Sequence, residues 1–206
     1  MNQASQNLSQ AGEALETAHT AVILLHGRGS SARDIISLAG ELALPGVAFL
    51  APETSGGSWY PLRFLELQAR NEPFLSSALE TVRLTMQQTG LEQRNIALLG
   101  FSQGACLALE TAHRTGGRFK CVIGLSGGLI GADSELESQT DPSLESTPVF
   151  LGCSDIDPHI PIGRVQRSAA LLERQGGAVE TRIYPNFGHG INADELGAVR
   201  RLLQTQ

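Results

Sequence analysis

The chain has 206 residues, of which 41% are hydrophobic and 17% charged, and its formal net charge is −6. That length and apolar content suit one globular domain with a substantial core, and the acidic balance without any basic stripe argues against a nucleic-acid partner. No apolar run reaches the length of a membrane span, and Cys106, Cys121 and Cys153 lie in or beside apolar runs without metal spacing, so a reducing, cytoplasmic setting is expected.

Residues 1–18 form a polar leader that lacks the basic and apolar regions of a signal peptide. Beyond it, strand and helix patterns alternate. Residues 20–25 read as a strand, 32–42 as a helix, 47–51 as a strand closed by Pro52, and 72–88 as a long helix. A strand at 96–101, a helix at 103–114 and a strand at 121–125 follow, then a strand at 148–152, a helix at 162–175, a strand at 179–184 and a helix at 195–203. Continuous apolar strands separated by helices imply a parallel sheet covered on both faces. The expectation is a single α/β domain over residues 1–206, with an open, mostly parallel sheet of six to seven strands, the seventh being a weak extended segment before Thr20. Two segments break the rhythm: 54–70, with Gly56-Gly57-Ser58-Trp59-Tyr60-Pro61, and the polar, acidic 130–147. Irregular segments beside strand ends are where open α/β sheets place ligand sites.

Ser102 sits in Gly100-Phe101-Ser102-Gln103-Gly104, between a strand pattern and a helix pattern. A sharp strand-to-helix turn of this kind projects a serine Oγ outward, with the helix N-terminus behind it. A second match, Gly124-Leu125-Ser126-Gly127-Gly128, is followed by Leu129, Ile130 and Gly131, poor helix formers that predict a flexible loop, so Ser126 is read as a structural serine. A serine nucleophile needs a base and an acid after it in the chain. His19 lies in the leader, His26 precedes the serine, His113 lies deep in a helix, and His159 is too close to the acid candidates. His189, flanked by Gly188 and Gly190 after the last predicted strand, remains as the base. Asp157, before Pro158, is preferred as the acid over Asp155, and either one also suits a turn or a helix cap. The backbone N–H groups of Gln103 and of Arg28, in the loop after the first strand, are the expected oxyanion donors, with the Arg28 side chain exposed and unbound.

Taken together, Leu25-His26-Gly27-Arg28-Gly29, the Ser102 motif with Ala105, Asp157-Pro158-His159-Ile160-Pro161 and Gly188-His189-Gly190 resemble the α/β-hydrolase superfamily, and within it the phospholipase/carboxylesterase group that includes acyl-protein thioesterases. The resemblance implies cofactor-free hydrolysis of carboxylic esters, or of thioesters or lysophospholipids, by Ser102, Asp157 and His189 with Arg28 and Gln103 as oxyanion donors; small to medium acyl chains are expected, and the departure from the family pattern at Tyr60-Pro61 leaves the chain-length preference open. It also implies Trp59 in the acyl pocket. The chain is too short for a large cap domain, which suggests a shallow, open site, and a homodimer through an exposed helix or edge strand is compatible with it.

Two other readings compete. Gly27-Arg28-Gly29-Ser30-Ser31-Ala32 matches a dinucleotide-binding turn, with Glu53 placed as the ribose-binding acid. A hydrolase fold serving only as a binding protein is the other.

Overall fold

The computed structural model describes residues 8–136 and 142–205, so residues 1–7 of the leader and 137–141 of the acidic segment lie outside the described residues. Strand β1 (Leu8–Gly12) is the weak extended segment, and it pairs antiparallel with β3 (Val47–Pro52). The remaining strands are β2 (Thr20–Leu25), β4 (Ile96–Phe101), β5 (Cys121–Leu125), β6 (Pro148–Ser154) and β7 (Ala178–Tyr184). All their pairings are parallel, and the described residues form one seven-stranded sheet in the order β1-β3-β2-β4-β5-β6-β7.

Both faces of the central strands are buried because both carry apolar side chains, alternating as the pleat requires. Ile23 and Leu25 of β2, with Ile96 and Leu98 of β4, point to one core, shared with α3 (Phe74–Gln88), α4 (Gln103–Thr115) and α6 (Ile162–Arg174). Val22 and Leu24, with Ala97 and Leu99, point to the other, covered by α1 (Ala32–Ile35), α2 (Leu38–Leu42) and α7 (Ala193–Gln204). Each fully buried leucine or isoleucine contributes about 1.5–3 kcal/mol through the hydrophobic effect. A further short helix, α5 (Asp133–Leu136), lies in the acidic segment.

The helix expected over 32–42 is two short ones. The Ser37 hydroxyl donates to the Asp34 carbonyl at 2.7 Å, competing with the next helical turn, and Ala43 ends α2 in the left-handed region at φ 45°.

From β2 the chain crosses to β3 on one side, and β4 then returns to the other side of β2. The carboxyl ends of β2 and β4 therefore bound the crevice at the point where the winding reverses, the usual ligand position in such sheets.

Candidate active site

Ser102 stands between β4 and α4 with φ 56° and ψ −118°, a conformation costly for a residue with a side chain. Its surroundings hold it there. The Ser102 N–H donates to Leu125 O at 2.9 Å, and Ser102 O accepts from Cys106 N at 3.1 Å. A Cβ at Gly100 would collide with the Gly104 backbone, and one at Gly104 would collide with the carbonyls of Leu25 and His26, so both motif glycines are required by close backbone approach.

His189 comes to this serine from the loop after β7. Its Nε2 lies 3.0 Å from Ser102 Oγ, and its Nδ1 lies 2.7 Å from Asp157 Oδ2. The other Asp157 oxygen accepts the N–H groups of His159 at 2.8 Å and Ile160 at 3.0 Å. Burial of Asp157 resists ionisation, but the His189 hydrogen bond and the two amides outweigh it and hold the carboxyl below its ordinary range. A carboxylate at Nδ1 leaves Nε2 free of its proton and able to accept one from Ser102.

Asp155 lies elsewhere. Its Oδ1 accepts the Asn186 N–H at 2.8 Å, and Ser154 Oγ accepts from Phe187 N at 3.2 Å and Gly188 N at 2.9 Å. Both residues thus splint the histidine loop from the end of β6. The sequence marks Ser154 only by its place beside the two aspartates.

The N–H of Gln103 opens α4, and that of Arg28 lies in the loop after β2; among the described residues neither has an acceptor in the protein. The direction of the Arg28 amide has a cause in the preceding carbonyl. Gly27 O accepts from His26 Nδ1 at 2.8 Å and from Ser30 N at 3.2 Å. In a trans peptide this turns the Arg28 N–H the opposite way. His26 is fully buried, with Nε2 3.2 Å from Glu53 Oε1, and its ring lies 4.9 Å from that of Trp59.

Two side chains depart from expectation. The Arg28 guanidinium is not unbound: it donates to Tyr60 O at 2.9 Å, Pro61 O at 2.9 Å and Leu62 O at 2.7 Å, clasping the irregular segment over the site. Trp59 does not reach the cavity wall. It is buried, with Nε1 donating to His26 O at 2.9 Å and its backbone N–H to Gln103 Oε1 at 3.0 Å. The Gln103 amide also donates to Tyr60 O at 2.8 Å, so this side chain stitches the elbow to the same segment.

A cavity of about 630 Å³ opens beside Ser102, walled by Tyr60, Pro61, Leu62 and Phe64 from the irregular segment and by His159 and Ile160 from the acid loop. His159 meets His189 edge to face at 4.9 Å. The remaining histidines stay away: His113 Nδ1 lies 2.7 Å from Gln175 Oε1, and His19 Nδ1 lies 3.1 Å from Thr20 Oγ1.

Ser126 has the same backbone signature, φ 54°, and donates its N–H to Gly152 O at 2.7 Å. The residues after it, 127–131, are not the flexible loop expected but are buried, and no helix begins there.

The dinucleotide turn is occupied by the protein itself. Glu53 Oε2 accepts the Ala32 N–H at 3.0 Å at the start of α1, a helix of only 4 residues, where a pyrophosphate would need that amide. Among the described residues no group of three His, Cys, Asp or Glu is arranged to hold a metal ion, and no helix is long and apolar enough to cross a membrane.

Comparison with known proteins places these features in a family. The Phospholipase/Carboxylesterase family profile matches residues 11–206. The crystal structure of a phospholipase/carboxylesterase from Dyadobacter fermentans is 36% identical, with a TM-score of 0.91 over 100% of this chain and 99% of that one. Esterase YpfH of Escherichia coli is 28% identical over 141 residues, 67% of this chain but 58% of that protein, so the chain spans little more than half of that relative. Acyl-protein thioesterase 1 of Yarrowia lipolytica is 28% identical over 212 residues, covering 92% of this chain and 93% of that protein.

Proposed function

The chain belongs to the phospholipase/carboxylesterase family of carboxylic ester hydrolases, and from that premise we propose that it hydrolyses esters of short to medium acyl chain through Ser102, His189 and Asp157. The observation that carries this reading is the unbroken hydrogen-bonded chain from Ser102 Oγ through His189 to Asp157, at 3.0 and 2.7 Å, opening into an apolar-walled cavity.

His189 Nε2 takes the Ser102 proton as Oγ attacks the ester carbonyl, and Asp157 stabilises the imidazolium. The Gln103 and Arg28 amides receive the oxyanion, each donor being worth roughly 3 kcal/mol in such a site. His189 then protonates the leaving alcohol and activates a water, which releases the acid from the acyl-enzyme. Thioesters react along the same path, and the Yarrowia relative's name supports testing them. Acyl esters and thioesters of graded chain length, assayed with wild type and Ser102→Ala, test the reading. It predicts turnover lost with Ser102 and a chain-length optimum set by the cavity; turnover that survives in Ser102→Ala overturns it.

A further inference from the structure

Three of the four hydrogen-bond positions on the Asp157 carboxylate are accounted for by His189 Nδ1 and the amides of His159 and Ile160. The fourth contact comes from below. Cys153 Sγ lies 3.9 Å from Oδ2, the oxygen that also meets His189, at the long end of the range for a thiol donor. Cys153 is buried at the end of β6. Burial pushes its thiol up to about 12, and the Asp157 charge pushes the same way, so at neutral pH it carries its proton and can donate it.

Behind the thiol stands Ser126. Its hydroxyl is sealed from solvent and has no hydrogen-bond partner among the described residues, and it favours negative charge on the Cys153 sulfur beside it. The protein holds this serine at φ 54°, in the left-handed region, and anchors its N–H on Gly152, the residue before Cys153. Strain that is kept in a buried position needs a reason. The second serine motif would then serve the first site from behind.

We propose that Cys153 is a positioning residue for the triad acid, its thiol a fourth donor to Asp157, held in place by the Ser126 hydroxyl. The inference rests on the proposed triad. Removing the donor concentrates negative charge on Oδ2 and stabilises the His189 imidazolium, so the base stays protonated to higher pH. The titratable and charged groups packed around this relay are His159 beside His189, Asp155 on the histidine loop, and Glu195 of α7 over Gly152.

The test is the pH dependence of kcat/KM for a chromogenic acetyl ester, measured on the full chain as wild type, Cys153→Ala, Cys153→Ser, Ser126→Ala and Ser102→Ala, with thermal unfolding in parallel. Cys153→Ala is expected to lower kcat/KM about fivefold, because Asp157 and with it His189 lose a restraint on their position, and to move the acid limb upward by about 0.3 pH through the less screened carboxylate. Cys153→Ser, which keeps a donor, is expected to restore both, and Ser126→Ala to shift both in the same direction by less. If the alanine variant at Cys153 does not fold, the serine variant must keep the wild-type limb and Ser126→Ala must raise it. Wild-type rate and limb in Cys153→Ala and Ser126→Ala, or a rate loss that neither moves the limb nor recovers with serine, overturns the inference while Ser102→Ala stays inactive. An active Ser102→Ala overturns the triad and the inference together.

Discussion

Ser102 and Ser126 occupy the same motif, follow adjacent parallel strands and share nearly the same strained backbone, at φ 56° and 54°. Each donates its N–H to the carbonyl of the next strand over. Beyond that they diverge. Ser102 opens the 13-residue helix α4 and faces His189 across a cavity, whereas Ser126 leads into buried, non-helical backbone and faces a thiol. The glycines differ too: those around Ser102 are pressed against backbone, while Gly124 and Gly128 are pressed against the side chains of Leu109, Arg164 and Ser168. The motif thus encodes a tight turn at a strand end, and the helix, the opening and the partner turn one of the two serines into a nucleophile.

The largest expected contrast is in turnover. Ser102→Ala is expected to lower kcat by roughly 10⁴-fold or more, because the triad acts as a unit, with folding unchanged. Ser126→Ala should cost only a few-fold. Steady-state kinetics beside circular dichroism checks both, and equal losses would erase the distinction.

Stability should separate the flanking glycines next. Gly104→Ala forces backbone apart at Leu25 and His26 and is expected to cost roughly 3 kcal/mol, whereas at Gly128 the Arg164 stem and the Ser168 hydroxyl can give way for about 1 kcal/mol. Urea denaturation of the two variants measures this, and similar midpoints would contradict it.

The cavity wall belongs to the Ser102 side alone. Arg28→Ala releases the carbonyls of Tyr60, Pro61 and Leu62, and is expected to lower kcat/KM for a medium-chain ester about tenfold, with a smaller loss for an acetyl ester. An equal loss for both esters would place the arginine's effect at the oxyanion and away from the wall.

The smallest effect lies on the Ser126 side. Glu195 packs on Gly152, and burial pushes its carboxyl from 4.5 up to about 7, only partly offset by the Asn192 amide. The folded state therefore holds this proton more tightly than the unfolded chain. The stability it contributes is complete below about 4.5 and is lost as pH rises through about 7. Glu195→Gln keeps the capping geometry and removes the titration. The Tm of the variant minus that of wild type should rise across this window, and parallel curves would contradict the assignment.

What the sequence made legible follows from its physics. Five of the six parallel strands announce themselves because burial on both faces leaves runs such as 20–25 and 96–101 almost wholly apolar, whereas the edge strand β7 shows only an alternation of apolar and charged residues. The residues brought together at the site were readable from chain order and from the glycines around Ser102 and His189. Contacts made across long stretches of chain were not. The guanidinium of Arg28 finds carbonyls more than thirty residues away, and Trp59, an aromatic in a glycine-rich segment, looks like a pocket residue until its indole is seen beneath the loop. Likewise five residues of mixed glycine and aliphatic character after Ser126 carry no signal that separates a mobile loop from one sealed by α4 and α6.

Of the two serines, Ser102 and not Ser126 is expected to carry an activated hydroxyl. Fluorophosphonate labelling of native and heat-denatured protein, followed by peptide mapping, tests it most directly. Stoichiometric, fold-dependent modification of Ser102 with Ser126 unmodified is the expected result. Labelling at Ser126, or no labelling of the native protein at either serine, would contradict it.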